Sequence, residues 1–433
     1  MDGRFTLHSE RYLCTTNAIL FAMDLAKDLQ ARGLVEHTSA DIEKILGTKR
    51  TVYLGVDPSA DSMHAGNLLV VLFMRRLAQA GHTIILLVGG GTGMIGDPRE
   101  SGERTLADKK LVDKNKKALK AQMQRIVGVK VRVVDNADWL LKVPLVDFLR
   151  DIGKHFTVNE LIKRDIIRRR IEDPNDSISY TEFAYSLLQG YDYLVLNKKY
   201  GVDLQIGASD QWTNILSGVE LIRRKEGKEA FAITCPLVTE ANGKKFGKSE
   251  GNAVWLDAAK TSPYQFYQFW LNQPDEMVEK YLKFFTFMST FEIETMMVLH
   301  GRNPGKRDAQ KMLARLVTEI VHGTETALRV EAASEAVYGS TPLAELPATT
   351  LATVRKEVPS AIVSVGMSVV DALIASELVK SKSDAKRLIE AGSISITGET
   401  VGTVDTVLTE GQFAGGVAIL RRGKQTALLS LDR

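Results

Sequence analysis

Cysteine is nearly missing from this 433-residue chain. Only Cys14 and Cys235 occur, which rules out a disulfide framework and a four-cysteine zinc site. An excess of one charge is missing too: 56 Lys and Arg stand against 53 Asp and Glu, a formal net charge of +3. Nothing in that balance marks the whole chain as a nucleic-acid binder, so any such contact must be built from local clusters. No apolar run is long enough to span a bilayer, and the first eight residues lack the apolar core of a signal peptide. A cytoplasmic protein without membrane contact is therefore expected. What is present, 44% apolar and 25% charged residues, is ordinary for a globular protein, with length for more than one domain.

Short apolar runs alternate with helical patterns over residues 1–240. Thr51–Val56, Thr83–Val88 and Val129–Val134 read as strands, with helices over Asn67–Ala80 and Leu106–Ile126 between them. That is the βαβ rhythm of an α/β fold with a parallel sheet, whose ligands bind off the carboxyl ends of the strands. Asp57, Gly89–Asp97 and Asn136 follow those ends. Residues 263–340 read as helices only. The prolines and short polar runs of 341–365 read as a linker. Residues 366–433 read as a small α+β module, with helices Ser368–Leu378 and Ser383–Ala391 before short strands.

Two glycine patterns mislead. Gly91-Thr-Gly-Met-Ile-Gly96 fits a dinucleotide fingerprint after a strand, but that fingerprint must open a helix whose N-terminus holds pyrophosphate. Here Asp97-Pro98 and a polar run follow, with no apolar periodicity, so a nicotinamide oxidoreductase is a weak alternative. Gly243-Lys-Lys-Phe-Gly-Lys-Ser249 has three residues between its glycines where a phosphate loop needs four.

A more specific pattern opens at Ser179-Tyr-Thr-Glu182, where Ser179 and Glu182 have capping-box spacing. Tyr185, Gln189 and Asp192 then fall at i, i+4 and i+7, on a stripe roughly 60° wide. The rest of the helix is largely apolar, and the stripe carries neither Lys nor Arg, so a buried polar stripe is favoured over a solvated face. Such a stripe needs a partner, which a polar ligand supplies. Leu204–Trp212 follows as a strand-to-helix turn whose glycine and Asp210 suit a ribose.

Asn242-Gly-Lys-Lys-Phe-Gly-Lys-Ser249 is a glycine-hinged loop with three lysines, and Asp61-Ser-Met-His-Ala-Gly-Asn67 offers a histidine and an amide around one glycine. Together they resemble the nucleotide-binding signatures of class I aminoacyl-tRNA synthetases. With Tyr53–His64, Val88–Asp97, Tyr185–Asp192, Gln205–Trp212 and Lys245–Ser249, the collinear match resembles the bacterial tyrosyl-tRNA synthetase family over most of the chain. The resemblance implies a Rossmann-like catalytic domain at 1–240, a mobile Lys-Phe-Gly-Lys-Ser loop and connection at 241–262, and an α-helical anticodon-binding domain at 263–340. Beyond the 341–365 linker it implies an S4-like RNA-binding domain at 366–433.

The resemblance also assigns residues. Tyr53 and Asp192 would bond the phenol hydroxyl of tyrosine; Asp97, Tyr185 and Gln189 would hold its ammonium, supported by Asn136 and Thr92; Gln211 would lie by the carboxylate and Asp57 at the rim. Gly55, Gly207 and Asp210 would contact adenosine and ribose. Ser59, His64, Gly66 and Asn67 would line the nucleotide site, with Lys245, Lys248 and Ser249 on the loop and Arg104 on pyrophosphate. Asn67 departs from the family's second signature histidine, and Asp97–Arg104 is one residue shorter than in many relatives. Leu54 offers the ribose no side-chain hydrogen bond.

The implied chemistry is tyrosine activation by ATP with Mg²⁺, then transfer to the terminal ribose of tRNA(Tyr). It requires charge stabilisation and alignment of two anions rather than a nucleophile, and no tightly bound protein metal. Lys109, Lys110, Lys114, Lys116, Lys117, Lys120 and Arg125 make one basic helix; Lys163, Arg164 and Arg168–Arg170 make a second cluster. Lys382, Lys386 and Arg387 sit beside a glycine turn in the module, placed for RNA phosphates. The family implies a homodimer. A tryptophanyl enzyme shares the signatures, but the Tyr53/Asp192 pair suits a phenol better than an indole.

Overall fold

The computed structural model describes residues 25–99, 102, 108–240, 246, 253–338, 342–358, 360–423 and 425–432. Contacts divide the chain into two compact units, Met1–Trp255 with Glu279–Met297, and Leu256–Val278 with Val298–Arg433. No helix among the described residues is long and apolar enough to cross a membrane.

The first unit is built on a six-stranded sheet. Its strands are β1 (His37–Thr38), β2 (Thr51–Val56), β3 (Thr83–Val88), β4 (Arg132–Asp135), β5 (Leu204–Ala208) and β6 (Phe231–Cys235), in the order β1-β6-β5-β2-β3-β4. All pairings are parallel except β1 with β6. Strands β2, β3, β5 and β6 are apolar and largely buried because helices cover both faces. The two expected strands Thr51–Val56 and Thr83–Val88 occur with those bounds. The third begins only at Arg132.

Sheet order reverses at β2, whose neighbours are β3 on one side and β5 on the other. Such a switch point opens a crevice beyond the strands' carboxyl ends. Asp57 leaves β2 there, Gly89 leaves β3, Asn136 leaves β4 and Ser209–Gln211 leaves β5 as a 3-10 turn. The 21-residue helix Tyr180–Tyr200 buries Tyr185, Leu187, Asp192, Tyr193, Leu194 and Leu196, and ends at Gly201 in the left-handed conformation. A cluster of Tyr53, Leu87, Trp139, Phe148, Tyr193 and Leu196 forms the floor beneath it.

The expected capping box at Ser179 forms only by half. Ser179 Oγ accepts from the Glu182 amide at 3.3 Å, but the Glu182 carboxylate pairs with the Arg170 guanidinium at 3.0 Å. Both groups are buried, and a buried charge needs an opposite charge more than a backbone donor.

The chain is helical from Pro263 through Tyr338, as the pattern predicts, although Glu279–Met297 within that run belongs to the first unit. The 341–365 linker does not hold. Leu343–Glu345 is a 3-10 turn, Ala348–Glu357 is a helix burying Leu351 and Val354, and Ser360–Val363 is a strand, β7. Pro347 stands at the N-cap of that helix, where its fixed φ and missing N–H start a helix instead of forbidding one. β7 pairs in parallel with β11 (Gln425–Leu431), in a sheet ordered β7-β11-β10-β8-β9, where β8 is Ile394–Ile396, β9 Glu399–Thr400 and β10 Val417–Arg422. The module's helices are Val369–Ala375 and Lys382–Glu390.

Candidate active site

Asp192 lies in the interior, 1% exposed. Its Oδ1 accepts from the Trp139 indole Nε1 at 2.7 Å and its Oδ2 from Asn136 Nδ2 at 2.8 Å. Burial pushes its carboxyl up to about 8 against the pull of those two donors. Beside this carboxylate in charge influence stands Tyr53, wholly buried, whose hydroxyl has no hydrogen-bond partner among the described residues. An unmet buried hydroxyl costs on the order of 1–3 kcal/mol, which a ligand hydroxyl offsets. Trp139 was not foreseen; its place three residues past Asn136 gave no periodic signal.

Asn136 ties the floor to the glycine loop. Its Oδ1 accepts from the Gly91 amide at 2.7 Å, and its Nδ2 donates to Thr92 Oγ1 at 2.8 Å as well as to Asp192. Thr92 in turn donates to Asp57 Oδ1 at 2.6 Å, and Tyr185 donates its hydroxyl to Asp57 Oδ2 at 2.7 Å. Gly91–Gly96 therefore serves the packing of side chains. A Cβ on Gly89 would sit 1.9 Å from Asp57 Oδ1, and one on Gly90 2.2 Å from Asp135 Oδ1. Thr92–Met94 is a 3-10 turn, so the strand-to-helix junction a dinucleotide requires is replaced and the nicotinamide alternative loses its basis.

Asp97 forms a second polar centre. Gln211 Nε2 donates to its Oδ2 at 2.7 Å and Asn214 Nδ2 to its Oδ1 at 3.1 Å. Burial, with repulsion from Asp57 and Asp210, pushes its carboxyl up to about 6 against those amides. Gln189 is half-buried on the Tyr180–Tyr200 helix, one turn from Tyr185 and from Asp192. Asn214 is a further residue the sequence did not flag, since its contact with Asp97 spans 117 positions.

The nucleotide signature caps a helix. His64 is the N-cap of Ala65–Gln79: its Nδ1 accepts from the Gly66 amide at 3.1 Å, while Asn67 Oδ1 accepts from the His64 amide at 3.2 Å. The two signatures meet at their backbones. A Cβ on Gly66 would come 2.9 Å from the Phe246 carbonyl, and the Ala65 amide donates to Val254 O at 2.8 Å. Phe246 is itself buried against Tyr281 and Phe285, with ring centroids 4.9 and 5.7 Å away.

Gly55 and Ser59 are exposed on and just after β2, Gly207 is buried in β5, and Asp210 is exposed in the turn after it. Arg104, Lys245, Lys248 and Ser249 lie outside the described residues.

The basic clusters are only partly available to an RNA. Lys116 bridges Asp113 and Asp135 at 2.9 and 2.5 Å. Arg164 and Arg170 turn inward, to Asn214 and to Glu182, because buried acceptors there hold them more firmly than water would. Lys109, Lys110, Lys114, Lys117, Lys120, Arg125, Lys163, Arg168 and Arg169 remain exposed. Lys382, Lys386 and Arg387 are exposed on one helix of the second unit, with Lys382 paired to Asp371 and Arg387 to Asp384.

A buried carboxylate with an orphan phenol, and beside them a histidine-capped helix at the switch point, describe a class I nucleotide-and-amino-acid site. Residues 47–339 match the family described as tRNA synthetases class I (W and Y), and the chain belongs to it. Residues 350–429 match the Tyrosine--tRNA ligase SYY-like C-terminal domain. A tyrosine--tRNA ligase of Roseiflexus castenholzii is 44% identical over 412 residues, covering 92% of this chain and 97% of the relative. That of Leifsonia xyli subsp. xyli is 46% identical over 404 residues, 91% of each. A C-terminally truncated Aspergillus nidulans mitochondrial tyrosyl-tRNA synthetase of known structure matches with a TM-score of 0.63 at 29% identity, over 74% of this chain and 98% of that one.

Proposed function

We propose that the chain is a tyrosine--tRNA ligase, joining L-tyrosine and ATP into tyrosyl-adenylate and pyrophosphate and passing tyrosine to the 3'-terminal ribose of tRNA(Tyr). The observation that carries this reading is the buried Asp192 carboxylate, pinned from behind by Trp139 and Asn136, with the unpartnered Tyr53 hydroxyl beside it. A phenol hydroxyl both donates and accepts, so it satisfies this pair; an indole, which only donates, leaves Tyr53 without an acceptor, and a bare phenyl ring leaves both unmet.

Asp97 then takes the α-ammonium, with Gln189 and with Tyr185, whose own proton is committed to Asp57. Gln211 stands by the substrate carboxylate. That carboxylate attacks the α-phosphorus of ATP, forming the acyl–phosphate bond as the bond to pyrophosphate breaks. His64 and Asn67 contact the nucleotide at the helix N-terminus, Gly55, Gly66, Gly207 and Asp210 shape the adenosine side, and Ser59 lines the rim. Lys245, Lys248, Ser249 and Arg104 neutralise the leaving pyrophosphate, which matters most in the transition state. Mg²⁺ accompanies ATP, held by phosphate and water. The exposed lysines of the Lys109–Val127 helix and Lys382, Lys386 and Arg387 supply tRNA phosphate contacts, and the protein works in the cytoplasm. Tyrosine-dependent ATP–pyrophosphate exchange tests the reading: exchange with tyrosine and not with tryptophan is expected, and the reverse preference overturns it.

The enzyme works as a homodimer. Leu145 (71% exposed), Val146 (73% exposed), Leu141, Leu149 and Val158 present apolar side chains on neighbouring short helices, a surface a second copy would cover. Val146→Asp should convert the protein to monomers by sedimentation velocity; an unchanged dimer would place the interface elsewhere.

A further inference from the structure

We propose that Arg164 and Asn214 are positioning residues for Asp97, an inner relay that keeps this carboxylate aimed and charged for the α-ammonium of the substrate. The proposal deepens the tyrosine reading and rests on it. By sequence Arg164 belongs to a basic run that suits RNA phosphate. Its guanidinium points the other way: Nη1 donates to Asn214 Oδ1 at 3.1 Å and Nη2 to Ser217 Oγ at 2.5 Å. Asn214 passes the interaction on through Nδ2, which donates to Asp97 Oδ1 at 3.1 Å and to Gln211 Oε1 at 3.2 Å. Gln211 closes the ring by donating Nε2 to Asp97 Oδ2 at 2.7 Å.

The chemistry fixes the direction of every link. A guanidinium carries donors only, so it can donate to just one end of the Asn214 amide, the oxygen. The NH₂ end must then face Asp97. Remove the guanidinium and the amide is free to turn its oxygen toward the carboxylate, replacing a donor with a repulsive acceptor. Asp97 tolerates little such loss. Asp57 from the end of β2 and Asp210 from the turn after β5 both raise its proton affinity. Tyr185 faces it from the Tyr180–Tyr200 helix, and the Trp212–Glu226 helix offers it the neutral Asn214. Arg164, held against Asp97 and Glu160, is the cation behind the relay; burial lowers it to about 10, so it stays protonated at neutral pH.

An ammonium is bound by the ionised carboxylate. Because the Asp97 carboxyl sits raised, tyrosine affinity is full above that range and falls as pH drops through it, and weakening the relay moves this limb to higher pH. In tyrosine-dependent pyrophosphate exchange by the full-length chain, Arg164→Met should raise KM for tyrosine about tenfold near pH 6.5 and less at alkaline pH, the size of one lost charge-assisted bond. The acidic limb of kcat/KM should shift upward by about one unit, with KM for ATP within about twofold. Arg164→Lys should restore part of the loss. Asn214→Ala, which removes no charge, should reproduce the shift and serves if Arg164→Met does not fold. Unshifted tyrosine profiles in both variants, with only KM for tRNA raised, would assign Arg164 to RNA and overturn the relay. Absence of tyrosine-dependent exchange in the unaltered protein would instead overturn the functional reading beneath it.

Discussion

Asp192→Ala should lower kcat/KM for tyrosine by about 10- to 100-fold and leave that for phenylalanine nearly unchanged, the scale of one lost buried hydrogen bond whose partner is left unmet. Amino-acid-dependent pyrophosphate exchange with both substrates measures the ratio, and a preserved ratio would remove Asp192 from hydroxyl recognition. The variant has a structural cost that must be separated from this effect. Alanine strands the Trp139 indole N–H and one Asn136 N–H in the interior, at about 1–3 kcal/mol each. Asp192→Asn keeps the volume but turns an NH₂ toward one of those two donors. Asn136 cannot flip to accept it, because its oxygen already holds the Gly91 amide and its nitrogen holds Thr92. Both variants should therefore melt lower, while only the loss of discrimination reports on substrate.

Ending the chain after Val358 should cut tRNA charging by more than about 100-fold and spare pyrophosphate exchange within about twofold, since RNA affinity is summed from phosphate contacts. The cut falls between the Ala348–Glu357 helix and β7, which belongs to the C-terminal sheet through its pairing with β11. Leu351 loses its packing against Gly415, where an added Cβ would come 3.0 Å from Leu351 Cδ1. The bond from Arg355 Nη2 to Leu431 O is lost, as is that from Arg421 to Val337 O. Charging that persists would move the tRNA contacts to the exposed lysines of the Lys109–Val127 helix. Exchange lost along with charging would make the module a structural part of its unit, and a melting curve identifies that case.

Local signals carried the catalytic half of the chain. Apolar runs marked β2 and β3, and Ser179 with the Tyr185/Gln189/Asp192 stripe marked a helix whose polar side is buried, because spacing and side-chain type act within a few residues. The site's supporting atoms were not legible. Trp139, Asn214 and Arg164 reach their partners across separations of 50 residues or more, and nothing at the positions themselves distinguishes an inward arginine from a solvated one. The 341–365 segment was misread for a different reason. Its prolines suggest breaks, yet Leu351, Val354 and Val358 recur at i, i+3 and i+7, the stripe of a packed helix. The glycines at 89–91 look like a cofactor motif in one dimension; in three they make room for Asp57, Asp135 and Leu140.

Position 67 has a consequence for acid tolerance. The reciprocal cap at His64 draws one of its two bonds from a carboxamide oxygen. An imidazole in that place would accept only while neutral, and would surrender the bond on taking up a proton. A carboxamide has no proton to gain across the same range. One half of the turn that starts this helix is thus indifferent to acidification.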